Sequence, residues 1–319
     1  MLVLLLGMLA WTCFAESQTD AAALLREVAE AANSAQSWHI EGSIEESFTH
    51  QPASFSLVMC SNNEACFQQI GGFTPVTIVC GSGGAWIYSP PLNRYRTLRS
   101  PEDAVCAQVV GDWKVMPVGL KSPSAAGHKV IKLGNQVVDC SLVRGYSEPE
   151  LPSAGRVKRT LCIDVSRHLI VWERAETKYG SRTYTYSRIG RNADVPADAF
   201  IFDPPPQSRQ TPYQLPIPRP LGSRSMPSDP DVSLPRLVSR KDPVYDEYSR
   251  KAGIEGTVIL YVVIDPRGIP SEIEVFRPLS PQLDQAAVEC VRQWRFAAAT
   301  KGSQPVAVAT LVEVNFKLL

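Results

Sequence analysis

The sequence carries no excess of either charge: 32 Lys and Arg stand against 32 Asp and Glu in 319 residues. The balance also holds locally, 11 basic to 10 acidic over residues 236–319 and 3 to 2 over residues 204–235, leaving 18 to 20 elsewhere. A surface that grips phosphates needs a basic excess, so nucleic acid is not expected as a partner. Histidine is scarce. His39, His50, His128 and His168 are scattered, and none pairs with Cys or a carboxylate at metal-ligand spacing, so neither a metal nor a cofactor is expected. His39 falls on the polar side of its strand and reads as solvated surface. Gly81-Ser-Gly-Gly84 lacks the Lys-Ser/Thr of a phosphate loop and joins two strands. No Ser is flanked as a nucleophile elbow. Asp164 and His168 bracket a hairpin turn, where a carboxylate caps the turn, and no catalytic residue is assigned. The chain does not read as an enzyme.

Long hydrophobic runs are missing as well. Met1 to Phe14 is apolar apart from Thr12, but as a helix it would rise only roughly 21 Å against the ~30 Å of a hydrocarbon core. A cleaved signal peptide over residues 1–15 fits better, although no Lys or Arg precedes the apolar run. Export is the expectation, with an N-terminal segment retained in the inner membrane as the alternative.

What is present begins with alternation. Asp20 can cap a helix whose Leu24, Leu25, Val28 and Ala32 share one face. From Ser37 the period becomes two, with Trp38, Ile40, Gly42, Ile44 and Phe48 on the apolar side. Short strands follow over 55–60, 66–70, 76–80, 85–88 and 94–98. A helix with a capping-box pattern starts at Ser100, and strands resume over 129–133, 137–146, 156–164, 169–177 and 182–189. Residues 16–203 therefore read as one antiparallel sheet with two helices. Gly84-Ala-Trp-Ile-Tyr88 with Pro90 and Tyr95, Leu161-Cys-Ile-Asp164, and Phe200-Ile-Phe-Asp-Pro-Pro205 make this part resemble the half-barrel of the LolA/LolB periplasmic lipoprotein-carrier superfamily. The resemblance implies a curved sheet whose mouth is crossed by helices and whose interior can hold a lipid. Trp38, Ile40, Ile44 and Phe48 would line that cavity. Their bland alternative is a filled core.

Residues 204–235 hold ten prolines among Ser, Arg and Asp. Proline stiffens such a stretch toward an extended form, a semi-rigid tether with a reach of roughly 100 Å at ~3.1 Å per residue. Residues 236–319 then form a compact unit. Gly256 to Ile264 is a strand without charge on either face, and Asp265-Pro-Arg-Gly268 has the residues of a type I turn. Ile273 and Val275 alternate with Glu272 and Glu274. Ser280-Pro281 opens a helix striped by Leu283, Ala287, Val291 and Trp294, and 305–318 is a closing strand. With Pro243-Val-Tyr245, Ile254-Glu-Gly256, Leu283-Asp284 and Trp294-Arg-Phe296, this segment resembles the C-terminal domain of TonB proteins.

The fold class is therefore α+β: a curved antiparallel half-barrel with two helices, then a small ββαβ domain. The TonB resemblance implies a periplasmic module that takes a peptide of an outer-membrane TonB-dependent transporter, or another envelope protein, as a strand along its last strand. The positions are Val306, Val308, Thr310, Val312 and Val314, with Val244 and Tyr245 assisting. Val244-Tyr245-Asp246 replaces the family's Gln-Tyr-Pro, removing an amide and adding a negative charge beside the groove. Two alternatives stand beside this adaptor: energy transduction from a retained N-terminal anchor, and a lipid or lipoprotein carrier that its tail merely localises. Six cysteines crowd the front domain, which suits an oxidising compartment. A hairpin turn centred near Leu151 sets Cys140 opposite Cys162, and Cys60 and Cys66 flank the turn at 61–65, so both pairs are expected to be bridged.

Overall fold

The computed structural model describes residues 20–47, 51–60, 64–98, 120–147, 156–178, 180–217 and 232–318. The expected leader over 1–15, Phe48, the turn at 61–63 and the helix expected from Ser100 fall outside those residues. The architecture is α+β and dominated by strands. Helix α1 (Ala21–Asn33) starts where Asp20 accepts the Ala22 amide at 3.0 Å, and it buries Leu24, Leu25 and Val28.

One open sheet of twelve strands forms the front of the molecule. Its first meander is β1 (Ser37–Glu46), β2 (Ala53–Cys60), β3 (Ala65–Gly71), β4 (Val76–Gly81), β5 (Gly84–Ser89) and β6 (Arg94–Leu98). The second is β7 (Lys121–Leu133), β8 (Gln136–Ser147), β9 (Val157–Asp164), β10 (Leu169–Thr177) and β11 (Gly180–Arg191). The two join where β1 pairs with β11, so every long strand has a sequence neighbour beside it and the turns stay short. The register shifts between Glu41 and Gly42, and close packing there demands glycine. A Cβ on Gly42 would stand 2.4 Å from the Thr185 carbonyl and 2.9 Å from the Phe55 ring.

Cysteine pairing follows the ladders, with one expectation overturned. Cys140 and Cys162 are bonded, their Cα atoms 5.4 Å apart, although the ladder sets Leu142 opposite Cys162 and so centres the turn one residue later than the sequence suggested. Cys60 and Cys66 are free thiols. Cys66 faces Val58 while the Cys60 amide bonds the Glu64 carbonyl, so the two cysteines are offset along neighbouring strands instead of facing each other.

The stretch after residue 203 is not a tether from its start. Arg209–Gln210 forms strand β12, parallel to β6, and Thr211, Leu215 and Ile217 are buried. Two apolar side chains among the prolines let this strap pack where a purely polar linker would stay solvated.

The tail contains β13 (Arg236–Ser239), a short helix α2 (Glu247–Lys251), β14 (Gly256–Ile264), β15 (Pro270–Arg277) and helix α3 (Pro281–Val291). Then come β16 (Arg295–Ala297), β17 (Ala299–Lys301), β18 (Gln304–Val306) and β19 (Val308–Phe316). The sheet order is β15-β14-β19. Val258, Leu260, Val262 and Ile264 pack with Leu283, Ala287 and Val291 of α3 on one face. On the other face Ile259, Tyr261, Val263 and Phe276 belong to the core of the front domain, together with Leu92, Leu215 and Ile217. A strand buried on both faces has no place for charge, which accounts for the uncharged run from Gly256 to Ile264.

The alternation of β15 has a related origin. Glu272 and Glu274 do not face water alone: Arg94 of β6 donates to Glu272 at 2.7 Å and to Glu274 at 2.5 Å. Burial alone would lower the Arg94 pKa, and the two carboxylates outweigh it and raise it. Arg209 adds a contact to Glu274 at 3.2 Å, Tyr261 donates its hydroxyl to the Gln214 carbonyl at 3.1 Å, and the Phe73 and Phe276 rings meet at 6.4 Å.

The turn after β14 is held from both sides. The Gly268 amide donates to the Asp265 carbonyl at 2.9 Å, and Asp265 Oδ1 accepts the amides of Arg267 and Ile269. Gly268 lies at φ +78°, and a Cβ there would fall 1.8 Å from the Phe296 carbonyl. Replacing Gly268 with Ala should therefore destabilise the tail by at least about 1–3 kcal/mol, the usual range for such backbone strain. Chemical denaturation followed by amide exchange in β14 and α3 checks it, and an unchanged midpoint would contradict the turn geometry.

Candidate functional site

Strand β19 is the outer strand of the tail sheet, hydrogen-bonded to β14 on one side. Val308 to Phe316 runs against Ile264 to Gly256 without a bulge, so its outward backbone groups form a straight row. The expected closing strand over 305–318 is broken. Val306 lies in β18, paired with Ala299 of β17, and does not belong to the β19 edge. Val308 and Thr310 remain half-buried on β19, whereas Val312 and Val314 are buried against α3. A partner meeting this edge finds backbone N–H and C=O groups and few free side chains.

The segment ahead of β14 stands at the far end of the same strand. The Tyr245 ring packs edge-on to Phe316 at 5.3 Å, and its hydroxyl donates to the Ile254 carbonyl at 2.9 Å. Val244 beside it is 78% exposed, an unusual position for a β-branched apolar side chain with nothing to fold against. Behind them the Trp294 indole N–H donates to the Lys241 carbonyl at 2.9 Å and fixes the approach of the chain to α3.

Asp246 does something the sequence did not show. Its carboxylate caps α2, accepting the Ser249 amide at 2.9 Å, so its charge is directed at a helix N-terminus. Interactions with the Ser249 hydroxyl and amide hold the carboxyl below the usual carboxylate range.

On the front domain, Ile40 and Ile44 are buried on one face of β1, with Trp38 half-buried beside them and the Arg191 guanidinium over its ring at 6.0 Å. Reading the sequence missed the polar groups on this side of the sheet. Glu46 faces Arg182 across the β1–β11 ladder and accepts its Nε at 2.7 Å. Glu173, with 3% of its side chain exposed, accepts from Arg159 at 2.6 Å. Tyr184 and Tyr186 each meet the Phe55 ring edge-on, at 6.2 and 6.1 Å, and burial pushes both phenols up. The signal was faint: Glu46 and Arg182 sit at in-phase positions of strands that become neighbours only through the β1–β11 closure. Asp164 collects the Ser166 amide and hydroxyl and the Arg167 Nε, so it closes the hairpin turn before His168.

The Asp246 cap makes a pH-dependent contribution. Its folded pKa is depressed, so the stabilisation is present above the unfolded value of about 3.9 and disappears as pH falls through the folded value. Asp246→Ala should speed amide exchange at Ser249 near neutral pH, with Asp246→Asn retaining most of the protection and losing its acid dependence. Equal exchange in all three proteins would show that the cap holds nothing.

Residues 241–318 match the family model described as Gram-negative bacterial TonB protein C-terminal. Protein TonB of Vibrio cholerae is 34% identical over 111 residues, which is 34% of this chain and 46% of that protein. Protein tonB2 of Pseudomonas aeruginosa is 39% identical over 77 residues, 24% of this chain and 28% of that protein. The chain thus spans less than half the length of either relative. Among solved structures, the Pseudomonas aeruginosa TonB C-terminal domain is 26% identical, covering 30% of this chain and 96% of that one at a TM-score of 0.24. LprF from Mycobacterium bovis is 14% identical, covering 55% of this chain and 95% of that one at a TM-score of 0.41. MucB is 13% identical, covering 78% and 82% at a TM-score of 0.37. Over residues 241–318 this chain carries a TonB C-terminal domain.

Proposed function

We propose that the protein is a periplasmic adaptor whose TonB C-terminal domain binds a peptide of an outer-membrane transporter, or of another envelope protein, by strand addition along β19. The observation that carries this reading is the position of β19: an outer strand, regular over nine residues, whose far end is braced by Tyr245 on Phe316. The stretch of β19 that holds Val308, Thr310, Val312 and Val314 supplies its outward-pointing backbone groups, and Val244 and Tyr245 supply the wall at the strand's end. Affinity then comes from main-chain hydrogen bonds and sequence preference from the few exposed groups. The domain division used is 16–203, a connecting stretch 204–235 whose first part is strapped down, and 236–319. Among the described residues no helix is long and apolar enough to cross a membrane.

Proline tests the edge. Successive residues of an outer strand point their N–H groups alternately inward and outward, so of Thr310→Pro and Leu311→Pro one removes an outward donor and the other a bond to β14. The variant that keeps its fold should capture outer-membrane transporters from isolated envelopes about tenfold more weakly, the effect of roughly one well-made hydrogen bond and its neighbours. Undiminished capture by that folded variant sinks the strand-addition reading.

The front domain has a second part in the proposal: the side of the sheet bearing Trp38, Ile40 and Ile44 receives an apolar ligand of the lipid class. In support, Trp38 remains only half-buried although it packs against the buried core. A fluorescent fatty acid should bind the protein, and Ile44→Asp should abolish binding while thermal unfolding still shows a folded domain. If the acid binds neither protein, or both equally, the front domain holds no lipid there.

A further inference from the structure

We infer that the front domain is an intramolecular clamp for the TonB C-terminal domain: it seals one face of the β15-β14-β19 sheet and thereby keeps that domain from pairing with a second copy of itself. The inference is independent of what binds β19. It begins with the amount of apolar surface on the covered face. Ile259, Tyr261 and Val263 are 3%, 0% and 0% exposed, and Phe276 is 4% exposed. All four lie on the side of the sheet away from α3, so among the described residues nothing else within the tail covers them. A contiguous apolar sheet face left in water is an association surface.

The cover is specific. Thr211, Leu215 and Ile217 of the strap are buried, the Gln214 carbonyl takes the Tyr261 hydroxyl, and the 3-10 turn Pro90–Leu92 adds Leu92 to the same core. Electrostatics fixes the register. Arg94, with 10% of its side chain exposed, is held between Glu272 and Glu274, two carboxylates presented by alternate residues of one strand, while Arg209 approaches Glu274 from the strap. Removing the carboxylates leaves the buried Arg94 charge uncompensated, a larger loss than the pair's net worth. The named contacts fall on β15 and β14. Ala309 and Leu311 of β19 pack against the same core, so the clamp covers the face across all three strands while the outer backbone edge of β19 has no strand beside it among the described residues.

The test uses the full chain with a sequence-specific protease site inserted between Gly222 and Ser223. After cleavage the two parts of the otherwise unchanged protein should co-elute as one particle of the uncut mass. With Arg94→Glu they should separate, and the released tail should sediment at about twice its monomer mass, the outcome expected if the freed apolar face pairs with a second copy of itself. Adding Glu272→Arg and Glu274→Arg to Arg94→Glu should restore co-elution. Separation of the parts without any substitution overturns the docking. A released tail that stays monomeric, whether freed by Arg94→Glu or by Glu272→Arg with Glu274→Arg, overturns the guarding role. If Arg94→Glu fails to fold, the uncut-mass particle and the carboxylate variants still decide both points.

Discussion

The burial of β14 on both faces is the constraint on which the arrangement of this molecule depends. A three-stranded sheet covered by one helix can satisfy only half of its apolar side chains, and here the other half includes Ile259, Tyr261 and Val263. Fully burying one such side chain stabilises by about 1.5–3 kcal/mol, so leaving three in water would cost a large fraction of a small domain's stability. The front domain and its strap resolve that conflict. This explains why Leu215 and Ile217 stand among prolines, why β15 alternates glutamates with apolar residues, and why Arg94 is buried near the edge of the front sheet.

Much of this was legible in the sequence, and the part that was not has a common physical cause. Alternation located the front-domain strands, and the capping residues Asp20 and Ser280 located the starts of α1 and α3, because period and capping are properties of a single segment. The uncharged strand is legible too: a run apolar on both faces needs two packing partners, and only the helix lies close to it in the sequence. Glu272 and Glu274 alternate with Ile273 and Val275, and charge beside apolar residues has no address. The same pattern serves for water and for an arginine from another domain. The proline count hid the strap in a similar way, because composition averages over residues while packing depends on individual ones.

Register errors have a different origin. Centring a turn from sequence is uncertain by a residue, and in a ladder one residue shifts the pairing of every side chain. Cys140 and Cys162 tolerate that shift and are bonded, whereas Cys60 and Cys66 are offset and stay free. Val306 shows the same sensitivity. A break at Ala307 is enough to move it from the long strand to the hairpin before it.

The two domains solve the burial of polar groups in opposite ways, and this bears on what each can bind. Within the front domain Glu46 with Arg182 and Glu173 with Arg159 neutralise each other on the covered side of the sheet, so charge is present there without a net field. A ligand entering beside them would gain little from carrying a charge, since each guanidinium already has its carboxylate, and it would have to match apolar surface instead. In the tail the balance is reversed. Its apolar groups are spoken for on both faces of the sheet, and what remains open is a row of main-chain donors and acceptors along β19. Such a row is nearly indifferent to side-chain identity and highly sensitive to backbone conformation, so an extended peptide of almost any sequence satisfies it and a helical one cannot. On the strand-addition proposal, selectivity comes from the ends of the strand, where Val244 and Tyr245 stand at Phe316.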